Sequence, residues 1–226
     1  MSAEPERFEP DALADPALSK LPVGRHGLPR SVVARSQRQR IVAAMLRVLS
    51  REGYPRTTIG HLTREAGVSR EAFYEQFEGK EECFLATYDL AGQWLCERVE
   101  RAVDPGDEWP ARVRAGVSEA LGLLGANPAL ARLFAVEALQ AGPAARERQQ
   151  ACLTRFAEAL RAGRPGGEQL PAELEEMLLG GVVTTIGRYV DAGHPERLPE
   201  ATTELVEYLL IPYLGVGETK RIARAA

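Results

Sequence analysis

Arg70, Glu71, Ala72, Tyr74 and Glu75 lie within six residues and carry groups that can read the edge of a base pair. A guanidinium such as that of Arg70 can bond guanine O6 and N7 together, and a carboxylate such as Glu71 or Glu75 can accept from cytosine N4. Ala72 offers a methyl group to thymine, and the Tyr74 hydroxyl suits a phosphate oxygen. The two glutamates also admit a plainer reading, as solvated carboxylates or partners of Arg64 and Arg70.

Such side chains need a short rigid helix held at a fixed angle. The stretch TIGHLTREAGVSREAFYEQFEGK, residues 58–80, supplies it. Thr58 is a good N-cap, and Ile59, Leu62 and Ala66 follow at helical spacing. Gly67 stands where a helix must end in a left-handed residue. Ser69 is a second N-cap, and Phe73 and Phe77, four apart, give the next helix a buried edge. A helix, a glycine turn and a second helix in about twenty residues form the helix-turn-helix pattern, whose second helix enters the major groove. Thr57 or Thr58, with the free amides at the start of the first helix, suits a phosphate.

Charge points the same way. Net charge is −4 overall, yet residues 1–19 carry −4, residues 20–80 carry +7 and residues 81–226 carry −7. A basic segment in an acidic chain is the electrostatic footprint of nucleic-acid binding. The acidic remainder argues against a histone-like general binder. Residues 1–34 are rich in proline and charge, without periodicity, and are expected to form a flexible tail. Within it the basic stretch 20–30, including Arg25, reads either as an arm entering the minor groove or as a linker touching phosphate. A first helix is expected from about Arg35 to Glu52, with Arg35, Arg38 and Arg40 in its first turns facing phosphate against the helix dipole.

The run Thr57-Thr58-Ile59, Ala66-Gly67-Val68-Ser69, Phe73-Tyr74, Phe77, Lys80-Glu81 and Phe84-Leu85 resembles the TetR (tetracycline-repressor) family of one-component bacterial regulators. The resemblance covers roughly residues 35–90. Gly79 departs from it, standing where the family usually has Asp, Ser or Asn as the next N-cap. The resemblance implies an all-α chain of about nine helices: a tail over 1–34, a three-helix DNA-binding domain over 35–82 and a ligand-binding and dimerisation domain over 83–226. It implies phosphate contacts from Thr57, Thr58, Tyr74, Gln76 and Lys80. Its expected partners are an inverted-repeat DNA operator, a small-molecule inducer and a second copy of the chain. It further implies that the helices after Lys80 enclose a pocket, with Trp94, Phe134, Phe156 and Thr184 as candidate lining and Glu137 or Arg155 as polar handles.

The remaining chain is punctuated by Asp104-Pro105-Gly106-Asp107, Asn127-Pro128, Gly142-Pro143 and 163–167, with apolar helical stripes between. Residues 177–187 are small or apolar nearly all round, so this helix is expected to be buried on every side. In the resembling family it pairs with the last helix, expected at 199–210, in a dimeric four-helix bundle. Residues 220–226 read as a frayed tail. The chain lacks G-x-S-x-G, H-E-x-x-H, a Walker loop and G-x-G-x-x-G, and His26, His61 and His194 have no metal-ligand spacing. No enzyme, metal or cofactor is expected. Three scattered cysteines, no apolar span of about eighteen residues and no signal peptide suggest a cytoplasmic protein.

Overall fold

An unbroken apolar stripe from Ile41 to Leu49 dictates the first helix, around which the N-terminal half packs. The computed structural model describes residues 30–165 and 170–224. In it α1 spans Arg30–Glu52, with Ile41, Met45, Leu46 and Leu49 fully buried. The helix starts about five residues before its expected first residue. Arg35, Arg38 and Arg40 therefore stand beyond the first turn, where the unfavourable dipole has largely faded. Arg40 donates to the Ala66 and Gly67 carbonyls at 3.3 and 3.4 Å. Arg47 and Arg51 hold Glu65 at 2.7 and 2.6 Å. The basic face of α1 thus staples the C-terminal end of the next helix through two carbonyls and one carboxylate.

That helix, α2, spans Ile59–Ala66, and α3 spans Arg70–Tyr74. Gly67 between them has φ +63, and the Val68 N–H reaches back to the Thr63 carbonyl at 3.0 Å. A side chain there would be strained, which is why glycine terminates this helix. Helix α3 is three residues shorter than its apolar spacing suggests, because the Gln76 and Phe77 amides both close on the Phe73 carbonyl at 3.0 Å and tighten the chain into a turn.

Helix α4, Lys80–Ala102, leaves this turn and carries Phe84, Tyr88, Ala91 and Leu95 into the rest of the molecule. Its cap, Gly79, has extended backbone and no side-chain bond, and a Cβ there would meet nothing within 4 Å. Glu82 reaches back to the Glu78 N–H at 2.5 Å and covers part of the deficit. Gly79→Ser should therefore raise stability by about 0.5–1 kcal/mol, from the new cap and a less free unfolded chain. A melting temperature no higher than the parent's would mean the hydroxyl does not reach the helix amides.

Next come α5 (Trp109–Ala126), α6 (128–140), α7 (Pro143–Arg161) and α8 (Leu174–Asp191). Helix α6 widens into a π turn over Leu133–Glu137. A 3-10 segment, Pro195–Ala201, leads into α9, Thr202–Arg224. The last helix corrects two sequence expectations: it does not close near residue 210, and the segment from Lys220 is helical to Arg224. It bends at Gly215, φ +72, and continues with Thr219 fully buried. Among the described residues there is no strand, and no helix is long and apolar enough to cross a membrane.

One core runs from Ile41 through Phe84 and Leu121 to Phe134 and Leu205, so the reader and the larger helical body share it. A smaller core gathers Trp109, Leu160, Leu178 and Leu209. Helix α8 is not covered on all sides within one chain: Met177 is 69% exposed and Thr184 is exposed.

Glu175, fully buried, ties α7 to α8 and α9. It accepts from Tyr213 at 2.8 Å and Arg161 at 3.1 Å, and pairs with Arg164. Burial opposes its charge, but the bonds from Tyr213, its own backbone and Arg161 outweigh it and hold the carboxyl below its ordinary range. A depressed folded pKa gives stability that is complete above the unfolded value near 4.3 and is lost as pH falls through the folded value. The stability gap between the parent and Glu175→Gln should thus be full at pH 6 and shrink below about pH 4. A gap in urea midpoints that ignores pH would refute an ionised Glu175.

Candidate nucleic-acid interface and adjoining cavity

Helix α3 is fixed by what it buries. Ser69 accepts from the Ala72 N–H at 3.1 Å, and Phe73 and Phe77 pack inward with ring centroids 5.8 Å apart. Arg38 of α1 lays its guanidinium 4.4 Å from the Phe77 ring centre and donates to the Gln76 carbonyl at 3.1 Å. The outward edge is then set: Arg70, Glu71, Tyr74 and Glu75 are all exposed. Beside them Thr58 caps α2 with an exposed side chain, accepting from the His61 N–H at 3.2 Å. Guanidinium, carboxylates and phenol exposed beside the start of a helix form a surface suited to base edges and phosphates.

The loop before α2 is clamped from both sides. Gly53, φ +71, ends α1. From one side Lys80 donates to the Tyr54 carbonyl at 3.0 Å and lies 4.1 Å from that ring's centre. Burial pushes the Lys80 pKa down. From the other side the Tyr54 N–H donates to Glu137 at 2.6 Å. Glu137 is fully buried in the π turn of α6, and its second oxygen accepts from Arg132, also at 2.6 Å. One carboxylate thus links the reader's loop to the helical body.

Behind that link lies a cavity of about 400 Å³, walled mostly by aliphatic and aromatic side chains of α4 to α8. Phe134 of the π turn lines it, with its carbonyl held by buried Gln149 at 2.7 Å. Tyr88 meets Phe134 edge to face at 5.2 Å. Arg155 and Glu100, paired at 2.6 Å, both line the cavity and are exposed, so they mark where it nears the surface. The size falls within the range of small-molecule sites.

Residues 41–87 match the family model described as bacterial regulatory proteins, tetR family. Over that segment the chain is similar to the TetR family. The nucleoid occlusion factor SlmA of Vibrio vulnificus (strain YJ016) is 28% identical over 165 residues, 69% of this chain and 84% of that protein. The uncharacterized HTH-type transcriptional regulator TtgW of Pseudomonas putida is 43% identical over 53 residues, 24% of this chain and 40% of that protein. Among solved structures, the transcriptional regulator FadR from Bacillus subtilis, in complex with stearoyl-CoA, has a TM-score of 0.66 at 20% identity, covering 78% of this chain and 97% of that one. FadR from Bacillus halodurans has a TM-score of 0.69 at 18% identity, covering 77% and 94%. At such identities the likeness is one of fold.

The residues singled out from sequence separate by position. Thr58, Ser69, Arg70, Glu71 and Tyr74 gather on the exposed edge. Ala72 is buried, with 9% exposure. Thr57 is buried, and its hydroxyl donates to the Gly53 carbonyl at 2.8 Å, so it closes a turn. Arg38, Gln76 and Lys80 are half-buried, the first and last engaged as above. Arg25 lies outside the described residues. Phe134, Arg155 and Phe156 line the cavity, whereas Trp94, Glu137 and Thr184 do not. Trp94 lies against Arg98, Glu137 holds Tyr54, and Thr184 donates to the Gly180 carbonyl at 2.9 Å on an exposed face. Gln149, Cys96 and Cys152, which also line the cavity, carry no spacing signal for it: a helix face that borders a void has the same periodicity as one that borders a side chain.

Proposed function

We propose that this protein is a homodimeric repressor that binds an inverted-repeat operator through α3 and leaves it when a small molecule fills the cavity. The proposed division is a reader over 35–82 and a ligand-binding and dimerisation body over 83–226. The observation that carries the reading is the path through α6. Phe134 borders the cavity, and Glu137, three residues on in the same π turn, holds the Tyr54 backbone ahead of α2. A ligand that displaces Phe134 acts on the turn that anchors the reader's loop. Its effect is set by how much better it binds the conformer that does not fit DNA, and DNA weakens the ligand by the same factor.

The ligand class follows from the wall. A mostly apolar cavity with Arg155 at its exposed end fits a molecule with an apolar body and a polar or anionic head. The FadR likeness, whose solved complex holds stearoyl-CoA, favours a fatty-acyl compound. The test is selection of duplexes from a random pool at near-physiological salt, with and without long-chain acyl-CoA. An enriched inverted repeat that is lost on adding acyl-CoA supports the reading. Enrichment unaffected by any acyl compound removes the ligand class. The SlmA relatives favour a second reading, a DNA-binding nucleoid occlusion factor, which the same experiment favours if no small molecule releases the site. An adaptor without operator recognition would enrich nothing.

Arg70 carries the base reading in this proposal. Arg70→Ala should cost about 1–3 kcal/mol on the selected site and relax preference at one base pair of each half-site. Unchanged discrimination among single-base variants would move the reading to Glu71 and Glu75.

A further inference from the structure

Two of the three cysteines stand together in the cavity wall. Cys96 of α4 and Cys152 of α7 both line the cavity. Gly92, one turn before Cys96, leaves the space that Cys152 fills: a Cβ there would lie 3.8 Å from the Cys152 sulfur and 3.9 Å from the Phe134 ring. Cys96 is 3% exposed and Cys152 is half-buried, so a reagent meets the pair chiefly through the cavity. Arg155, one turn after Cys152, brings a cation to the same wall.

We propose that Cys96 and Cys152 are a two-electron oxidation site that closes an intrachain disulfide at the expense of an organic hydroperoxide with an apolar body. This extends the ligand-cavity reading by assigning the cavity a reactive wall. Hydrogen bonding from Cys152 outweighs burial and holds the Cys96 thiol below its ordinary pKa, with Arg155 adding to the effect. The same bond, together with burial, pushes the Cys152 thiol up. Cys96 is therefore the attacking thiolate and Cys152 the resolving thiol. The Cys96 sulfur attacks the terminal peroxide oxygen. An S–O bond forms, the O–O bond breaks, and the alkoxide leaves as an alcohol with the proton that Cys96 gave up. Cys152 then attacks the sulfenic sulfur. The S–S bond forms, the S–O bond breaks, and hydroxide leaves as water with the Cys152 proton. Two thiols and one hydroperoxide become one disulfide, one alcohol and one water.

The apolar wall sets the selectivity. Cumene hydroperoxide gains by burying its ring, whereas hydrogen peroxide has nothing to bury. Cys83 is the internal control: it is fully buried, does not line the cavity, and burial pushes its thiol up to about 12.

The test uses the reduced full chain and one equivalent of cumene hydroperoxide or hydrogen peroxide, read by intact mass and peptide mapping. The expected result is a loss of about 2 Da with a Cys96–Cys152 crosslink, formed at least about tenfold faster with the organic peroxide. Cys152→Ser should stop at a gain of about 16 Da on Cys96 that dimedone traps, and Cys96→Ser should not form the crosslink. Disulfides between chains, oxidation at Cys83, equal rates with both peroxides, or no thiol loss would each overturn the proposal. The mass change is read without DNA, so it stands or falls separately from operator release.

Discussion

Glu137→Ala is expected to lower folding stability by about 3–5 kcal/mol, the largest loss of any single side-chain truncation discussed for this chain. The carboxylate is fully buried, and both its oxygens are used, at 2.6 Å each, by Tyr54 and Arg132. Alanine removes the acceptor for a part-buried backbone N–H and strips Arg132 of its partner, so the cost includes desolvation with no compensation. Glu137→Gln keeps one carbonyl for Tyr54 but turns an amide group toward Arg132, and should cost about 1–3 kcal/mol. Urea unfolding measures both. A loss under about 1 kcal/mol for the alanine variant would mean that water reaches this site and that the two bonds are not the anchor. A double-mutant cycle with Arg132→Ala sharpens the result: removing both partners should cost less than the sum of the single losses. Because the carboxylate also fixes the loop before α2, Glu137→Gln should weaken operator binding more than its modest loss of folded protein explains.

The role of Glu137 was not legible in sequence, where it reads as a polar handle for a ligand. Its partner, Tyr54, is 83 residues away, and the π turn that aims it has no signature in apolar spacing. The reader was legible, because its determinants are local. Caps at Thr58 and Ser69, a positive φ at Gly67 and two phenylalanines four apart each act within a few residues. The same locality leaves its edges open. Ala72 has the chemistry of a contact residue, yet which side of a five-residue helix faces inward is decided by α1 and α2, and the Thr57 hydroxyl, outside that helix, is already given to the Gly53 carbonyl. The cavity could be expected only as a property of the fold. Its volume is what several helix faces fail to fill, and no single face records that. The lysine and arginines expected to grip phosphate are partly spent on carbonyls and rings inside the reader, as Arg38, Arg40 and Lys80 show. Charge counting measures supply of cations, not where their heads lie.

Helix α8 poses the opposite problem: its apolar circumference exceeds what one chain can bury. Met177, Gly180 and Thr184 recur at spacings of three and four and so lie on one face. Met177 and Thr184 are exposed, and a Cβ on Gly180 would meet nothing within 4 Å. On the neighbouring face a Cβ on Gly181 would collide with the Tyr208 hydroxyl, which brings α9 close beside α8. An open stripe of a small residue and a methionine, flanked by partly exposed Tyr208, is the surface we propose for the second copy. Gly180→Arg tests it with little confounding. The side chain has room in the single chain, and arginine is a better helix former than glycine by about 0.8 kcal/mol, so the monomer should fold at least as well. In a close two-fold contact the same arginine would meet its own copy, with two charges desolvated and no partner. The expected outcome is a halved mass by light scattering, an unchanged or raised melting temperature for the monomer, and operator affinity down by roughly 10²–10⁴ as the two half-sites lose their shared scaffold. A variant that stays dimeric would place the contact elsewhere. A monomer that kept full operator affinity would mean that one reader is enough, and that the inverted repeat is not what this protein recognises.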